Sequence, residues 1–272
     1  MLHQIKELQG YQLRSLDGEM GKVKEFYFDD RHWAVRYLVA DTDFWLPGRQ
    51  VLISPYSLSY VNQAERTVSV ELTKKQIENS PGLDSDRPVS RQFEESYYGY
   101  YQLPVYWTGS YMWGAYPFFV RDREKRPAPQ PSNQAEDYHL RSTDAVTGHH
   151  IQALDGEVGH VGDFILQDLN WAIRYLVVDT TNWLPGKKVL IAPSWIERID
   201  WGEKKVFVNL TRDQIRKSPE FTQNSLSNKD YEPELHQHYN RPGYWVGELA
   251  AREKSAAAGE QRDSRLEHEI KH

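Results

Sequence analysis

The sequence predicts a mainly β protein composed of two small β-barrels in tandem, related by a pseudo-twofold axis. The first observation is an internal repeat, in which the segment Leu16 to Pro55 returns as Leu154 to Pro193, 138 residues later and without a gap. The second is a series of short β-branched and aromatic runs separated by turn residues. Because a repeat of about one hundred residues is too long for a solenoid unit, each copy should hold its own core.

The repeat also predicts where the domains begin and end. The similarity extends as far as the dipeptide Tyr106-Trp107, which returns at the same offset near the end of the chain. A stretch rich in Pro and polar residues separates the copies, and the last residues are charged and lack aromatic side chains. We therefore predict a first repeat over 1–107, an aromatic and then Pro-rich linker over 108–139, a second repeat over 140–245, and a helical or disordered tail over 246–272.

The composition excludes several classes of protein. The chain has 272 residues, of which 39% are hydrophobic and 26% charged. This composition excludes a chain that is disordered from end to end. It contains no Cys, so disulfides and thiolate metal sites are excluded. We find no signal-peptide pattern and no run of about 18 apolar residues, which predicts no transmembrane segment and a cytoplasmic location. The formal net charge of -6 disfavours nucleic acid as a partner.

Each repeat opens with a tight turn and an amphipathic strand. Asp17-Gly18 in the first repeat and Asp155-Gly156 in the second supply a dipeptide that tolerates positive φ. We interpret both aspartates as turn residues rather than catalytic acids. The runs GKVKEFYF and GHVGDFILQ that come next place apolar residues against polar neighbours, as in half-buried strands.

The next strand should lie in the centre of the sheet. The runs WAVRYLVADT and WAIRYLVVDT are apolar on much of both faces, which favours burial on both sides. Arg36 and Asp41 recur with this strand as Arg174 and Asp179. They indicate either a charged site or an ion pair or hydrogen bond at a barrel end. We favour the second interpretation, because residues repeated with their strand usually belong to its packing.

A WLPG motif follows the central strand in both repeats. Pro47-Gly48 and Pro185-Gly186 suit a type II turn, in which Pro fixes φ and Gly accepts positive φ. The Trp-Leu pair before each turn either closes the end of a barrel or forms a contact with a partner. We favour closure of the barrel, because tryptophan is highly buried on average.

Short strands, a short helix and an aromatic arm complete each repeat. The helix is predicted after Thr73 and Thr211, because each is followed three residues later by a Gln that completes a capping box. In the arm, a second short helix capped by Ser90 or Asn228 precedes an extended strip that ends in Tyr-Trp. So much aromatic surface should pack across a barrel, with the barrel of the other repeat as one alternative.

Candidate catalytic and metal-binding residues are few. The histidines concentrated in the second repeat are His149, His150, His160, His236 and His238. The last two are two positions apart and do not share a helical face. No GxSxG, phosphate-binding glycine loop or HExxH motif occurs, and we interpret the pair Glu94-Glu95 as a solvated helix surface. We therefore predict no catalytic residues, no metal, no cofactor and no enzyme activity.

The strand motifs also resemble those of a known family. The openings LDGEMGKVKEFYFD and LDGEVGHVGDFILQD, each followed by the apolar strand that ends in Asp, resemble the PRC-barrel family. That barrel is named after the cytoplasmic domain of the photosynthetic reaction centre H subunit. The resemblance implies two tandem PRC-type barrels, a soluble bacterial version of the family, and a non-catalytic docking or assembly role.

Three functions are compatible with this resemblance. The first is a protein-interaction and assembly module that binds an unidentified protein, or a second copy of itself, through exposed sheet edges or aromatic surfaces. The second is an accessory to a membrane electron-transfer complex, and the third is an adaptor in ribosome or RNA processing. The residues predicted to form the interaction surface are Trp45, Leu46, Trp183, Leu184, Tyr106, Trp107, Tyr244 and Trp245.

Overall fold

A computed structural model describes residues 1–42, 44–47, 49–82, 89–107, 140–180 and 186–248. The linker predicted over 108–139 and the part of the tail beyond 248 lie outside these ranges. In the described ranges, none of the helices has the length and the apolar character needed to cross a bilayer.

The prediction of a mainly β protein is confirmed, because fourteen strands of the described residues form one mixed sheet. In the first repeat the strands are β1 (Leu2–Gln4), β2 (Gln12–Ser15), β3 (Gly18–Asp29), β4 (Ala34–Asp41), β5 (Val51–Ile53), β6 (Leu58–Asn62) and β7 (Thr67–Val70). In the second they are β8 (Leu140–Ser142), β9 (His150–Ala153), β10 (Gly156–Gln167), β11 (Ala172–Asp179), β12 (Lys188–Ile191), β13 (Ile196–Asp200) and β14 (Lys205–Val208). Within the described residues, the path β13-β14-β9-β10-β11-β4-β3-β2-β7-β6 does not close.

The helices are short, and most of their predicted starts are confirmed. They include α1 (Ile5–Leu8), α2 (Lys74–Glu78), α3 (Arg91–Tyr101), α4 (Thr143–Val146), α5 (Arg212–Lys217) and α6 (Tyr231–His238). Both capping boxes are present, at Thr73 and Thr211, and Ser90 caps α3. The cap predicted at Asn228 is wrong by two residues. Its side chain accepts the amide of Asp230 in a turn before α6, so the helix begins after Asp230.

The opening turns also fix the helices that follow the strands of each repeat. The carboxylate of Asp17 accepts the amide of Lys74 at 2.9 Å, and that of Asp155 accepts the amide of Arg212 at 2.7 Å. Each contacted amide belongs to the first residue of its helix, where backbone N–H groups have no helical partner. The two aspartates therefore tie the β2–β3 and β9–β10 turns to α2 and α5.

The two repeats exchange their first strands. β1 of the first repeat pairs with β10 of the second, with Leu2 opposite Gln167, and β8 of the second pairs with β3 of the first, with Leu140 opposite Asp29. The pairings are equivalent under the 138-residue offset. α1 and α4 accompany their strands and pack against β10 and β3. Each repeat thus contributes its first strand and helix to the other.

A second reciprocal contact joins the central strands. The amide of Val35 donates to the carbonyl of Trp171 at 2.8 Å, and the amide of Ile173 donates to the carbonyl of Trp33 at 2.7 Å. Both tryptophans have positive φ, +53° and +56°, a region that bulky L-residues rarely adopt. This conformation allows each carbonyl to pair with the opposite repeat, so it marks the join between β4 and β11.

The core extends through both repeats, whereas the repeat length predicted a separate core in each. β4 is buried from Ala34 to Ala40 and β11 from Ala172 to Val178, as predicted for the central strand. One cluster of buried apolar residues includes members of both repeats, and the rings of Phe28 and Phe164 lie 5.7 Å apart. The exchanged strands bring these side chains together, so the repeats share a core.

The aromatic arms (residues 90–107 and 228–245) pack on their own repeats. The hydroxyl of Tyr97 donates to the carbonyl of Leu52 at 3.1 Å, and the rings of Trp195 and Tyr239 lie 4.6 Å apart. The alternative in which an arm crosses to the other repeat is therefore wrong. The segments that cross are β1 and β8.

Candidate functional site

A groove of about 900 Å³ lies where the two repeats meet. One side is the β3–β4 turn of the first repeat, and the other is formed by β11, β13 and the aromatic arm of the second. We call it the inter-repeat groove. The side chains that give it its aromatic and charged character are Trp33, Arg174, Glu197, Arg198, Trp201 and Tyr244.

Asp29 fixes the turn that forms the first side of the groove. Its carboxylate accepts the amide of Arg31 at 2.8 Å and pairs with the guanidinium of Arg36 at 2.9 Å. Burial alone would raise the pKa of Asp29, but the hydrogen bond from His32 and the charge of Arg36 lower it. The predicted role of Arg36 in packing thus involves Asp29 rather than Asp41, because residues five positions apart on a strand point to opposite faces.

Beside the groove, a cation is stacked on the ring of Trp201, which is one of the lining residues. Nε of Arg141 donates to the carboxylate of Asp30 at 2.9 Å, and the guanidinium lies 4.3 Å from the ring centre of Trp201. Arg141 belongs to the exchanged strand β8, while Asp30 belongs to the first repeat. The ion pair between Arg141 and Asp30 therefore depends on the exchange of the strands.

The three positions that are equivalent under the 138-residue offset form a different cluster. There His3, Asp168 and Gln63 replace Arg141, Asp30 and Trp201. Nε2 of His3 lies 2.9 Å from the Asp168 carboxylate, and the Gln63 amide lies 3.0 Å from Nδ1 of the same ring. His3 is fully buried. One side of the molecule thus has a polar chain from buried His3 to exposed Gln63 where the other has a cation stacked on an aromatic ring.

Arg174 forms the polar part of the groove. Its guanidinium lies 3.9 Å from the ring centre of Tyr244, and Nε donates to the side-chain carbonyl of Gln167 at 2.7 Å. Arg174 also forms an ion pair with Glu248, to which the Asn170 amide donates at 3.3 Å. Only 7% of the Arg174 surface is exposed. A nearly buried cation is therefore in direct contact with a neutral side chain and one carboxylate, and it also interacts electrostatically with Glu232.

A buried carboxylate in the first repeat contradicts the interpretation of Glu94 as a solvated residue. Glu94 is 2% exposed and accepts hydrogen bonds from the hydroxyls of Tyr37 at 2.9 Å and Tyr106 at 2.6 Å. It also pairs with Arg91 at 2.9 Å. Burial raises the pKa of Glu94, and Arg91 and the two hydroxyls oppose that shift in part. The residue anchors the arm to β4.

The second repeat has the equivalent cluster. The hydroxyl of Tyr175 donates to Glu232 at 2.8 Å and lies 2.9 Å from Nε2 of His236. Burial raises the pKa of Glu232 and lowers that of His236. The sequence does carry a signal for both clusters, because the carboxylate and its tyrosines recur at the offset. The sequence of the helix that carries the carboxylate does not reveal its burial, because the tyrosines that bind it lie outside that helix.

The histidines of the described ranges do not form a metal site. Among the residues that the structure describes, no group of three or more His, Asp or Glu side chains is arranged to hold a metal ion. Their neighbours differ: His149 packs on Trp201, His150 pairs with Glu157, His160 lies opposite Asp179, His236 contacts Tyr175 and His238 contacts the Gln214 carbonyl.

The Trp-Leu pair of the first WLPG motif packs against the hydrophobic core. Trp45 is half-buried, and its indole N–H donates to the carbonyl of Met20 at 2.7 Å. Leu46 is half-buried beside it. The exposed aromatic residue of this loop is Phe44, 68% exposed, which lies just before the motif and was not predicted as a contact residue. Gly48 and the second motif, Trp183, Leu184 and Pro185, lie outside the described residues, whereas Gly186 has the expected positive φ of +82°.

The Tyr-Trp pairs of the two arms have different surroundings. Tyr106 is buried against Glu94, so it belongs to the interior rather than to a surface. Trp107 is half-buried, 4.2 Å from the guanidinium of Arg91. Tyr244 and Trp245 are also half-buried, and Tyr244 lines the inter-repeat groove. Of the four predicted arm residues, Tyr244 is therefore the one that contributes to the groove.

Comparison with known proteins adds no assignment. No protein-family model matches the chain, and a search of the curated proteins finds no match. The resemblance to the PRC-barrel family therefore stays a prediction from the strand motifs, and any functional assignment depends on the geometry of the groove.

Proposed function

We propose that the chain is a non-catalytic protein-interaction module built from two PRC-type barrels, and that the inter-repeat groove binds its protein partner. The observation that carries the proposal is that the groove combines partly exposed Trp33 of the first repeat with Trp201 and Arg198 of the second. Trp and Arg are the side chains most enriched at the energetic centres of protein interfaces.

The size of the groove supports binding of a few side chains. Its volume of about 900 Å³ lies within the range of ligand sites, roughly 300–1,000 Å³. Arg198 is exposed and its guanidinium lies 3.4 Å from the ring centre of Phe207, which holds the charge at the groove margin. An apolar side chain of a partner would bury against the tryptophans while Arg198 contacts polar groups at the rim.

The buried carboxylates support a structural rather than a catalytic role. Glu94 and Glu232 are hydrogen-bonded by tyrosines that belong to the repeat itself. These hydrogen bonds use the carboxylates to hold the arms in place. The Cys-free composition suits the cytoplasm, which is the location we propose.

Photo-cross-linking in the native cells tests the proposal. A photoreactive amino acid replaces Arg198 at the groove or Glu65 at a remote exposed site. We expect a discrete protein adduct from position 198 only, and we expect Trp201→Ala to abolish it. Equal adducts from both positions, or an adduct at 198 that survives Trp201→Ala, would contradict the groove as the binding surface.

The captured protein separates the alternative functions. A subunit of a membrane electron-transfer complex or a ribosomal protein would identify the setting of the module, whereas a second copy of this chain would indicate self-association. The surface predicted from the WLPG motifs is tested in the same cells with Trp45→Ala and Trp183→Ala. Loss of the adduct in those variants would extend the interface beyond the groove.

A further inference from the structure

The two repeats neutralise equivalent buried arginines in different ways. Arg36 is fully buried and pairs with Asp29 on the neighbouring strand. In the second repeat the position of Asp29 is occupied by Gln167, which is neutral. A buried guanidinium without a carboxylate is unfavourable, because desolvation of a charge needs compensation. The Glu232 carboxylate of α6 interacts with Arg174 electrostatically, and the carboxylate in direct contact with the guanidinium comes from outside its own strands.

Glu248 supplies that anion from the end of the described chain. It forms the ion pair with Arg174 and accepts the Asn170 amide. Residues 244–248 are helical, and the Glu248 side chain is 36% exposed, in contrast to the nearly buried Arg174. The Glu248 carboxylate therefore reaches solvent, where water and other charged groups can compete for it. The carboxylate is thus exchangeable, whereas the guanidinium is fixed.

The surroundings of Arg174 form a receptor for a carboxylate. The Tyr244 ring holds one face of the guanidinium and Gln167 orients it through Nε. Arg174 is one of the residues that line the inter-repeat groove, together with Trp33 and Trp201. A Glu or Asp side chain of a bound protein would meet a prepared, charge-assisted donor beside an apolar surface.

We infer that Arg174 is the recognition site for an acidic side chain of the protein partner, and that Glu248 is an internal competitor that the partner displaces. This inference rests on the proposed function of the groove and names the chemistry that it selects. Intramolecular competition of this kind lowers the apparent affinity until Glu248 is released. The end of the second arm then changes its contacts when a partner binds.

Nuclear magnetic resonance titration tests the inference with two matched probes, N-acetyl-Glu-Phe-amide and N-acetyl-Gln-Phe-amide. The readouts are the Arg174 Nε–H signal and the indole N–H signals of Trp33 and Trp201. We expect the acidic dipeptide to shift the Arg174 signal and to bind Glu248→Gln about tenfold more tightly than the native chain. The control Glu234→Gln removes the same charge from an exposed position of the same arm and should leave the affinity unchanged.

Three outcomes would overturn the inference: no shift of Arg174 with the acidic dipeptide in Glu248→Gln, equal binding of the two dipeptides, or equal affinities of the native and Glu248→Gln chains. Glu248→Gln is the decisive variant, because an exposed substitution is compatible with folding, and Arg174→Lys is a second variant that retains the charge but should weaken binding. A partner adduct at position 198 that persists alongside any of these outcomes would refute the acidic recognition and leave the groove as the binding surface.

Discussion

The carbonyl oxygen of Trp33 accepts a hydrogen bond from the amide of Ile173 at 2.7 Å, and this contact joins the central strands of the two repeats. In the equivalent contact, the carbonyl of Trp171 accepts from the amide of Val35. Each carbonyl belongs to a tryptophan in the left-handed backbone conformation, which directs it towards the other repeat. Disturbing either tryptophan should therefore weaken the joint core as well as the local turn.

Replacement of Trp171 tests the joint core. The side chain is 2% exposed and lies 6.3 Å from the ring of Phe26 in the other repeat. We expect Trp171→Ala to lower the free energy of unfolding by about 3–5 kcal/mol, because it leaves a cavity between the repeats. Trp171→Phe should cost less, since the indole N–H has no acceptor among the described residues. Urea denaturation measures both, and equal losses would contradict this account.

The pH dependence of stability should reveal Asp163, where the exchanged helix α1 is attached. Its carboxylate accepts the amide of Lys6 at 3.2 Å, and burial raises its pKa from 3.8 to about 6. A raised pKa means that the folded state binds the proton more tightly than the unfolded state. Stability from the protonated form is therefore lost as the pH rises from about 4 to about 6.

Asp163→Asn should consequently stabilise the protein at pH 7, by about 1–3 kcal/mol, because the amide retains an acceptor without the buried charge. The gain should shrink towards zero near pH 4. The control Asp213→Asn removes an exposed carboxylate whose pKa is lowered by hydrogen bonds from Lys217 and Arg216, so it should show no such gain. Urea midpoints at the two pH values decide. A gain of equal size at both pH values would mean that the charge is not the cause.

Glu94 should be essential for attachment of the first arm. Glu94→Ala leaves Arg91 and two tyrosine hydroxyls without their buried acceptor, so we expect a loss of about 3–5 kcal/mol in the free energy of unfolding. The matched control is Glu65→Gln, which removes an exposed ion pair with Arg14 and should change stability by about 1 kcal/mol or less. Similar losses in the two variants would show that the cluster is not an anchor.

Two glycines near the groove provide a matched pair. A Cβ on Gly243 would lie 2.2 Å from the Trp245 ring, whereas one on Gly247 would meet nothing within 4 Å. We expect Gly243→Ala to displace the indole, change the tryptophan fluorescence and cost about 1–3 kcal/mol. Gly247→Ala should be neutral or slightly stabilising in the helical segment. An unchanged spectrum in Gly243→Ala would mean that the ring adapts without leaving its position.

Local sequence signals predicted the elements that depend on near neighbours. The capping boxes at Thr73 and Thr211 and the buried central strands need only residues a few positions apart. The exchange of β1 and β8 could not be predicted in this way. Each strand is three residues long and finds its partner in the other repeat, so no periodicity in Leu2–Gln4 indicates the pairing.

The candidate site was hard to predict for the same reason. Glu94 lies next to another Glu on a short helix, and its burial arises from Tyr37 and Tyr106, which approach from other parts of the repeat. The groove also requires Trp33 and Trp201 to be brought together by the pairing of the repeats. Comparison of equivalent positions is the sequence signal that remains: Gln167 in place of Asp29 marks the arginine that needs another anion.

The exchanged first strands mean that one repeat on its own would be incomplete. A chain that carried a single repeat could fill the place beside β3 only with the first strand of another molecule, so the architecture is that of a homodimer fused into one polypeptide. Because the two repeats are encoded separately in one chain, equivalent positions can carry different residues. Position 63 can remain a glutamine that contacts buried His3 while position 201 becomes a tryptophan that lines a groove, whereas identical chains would carry the same residue at both places.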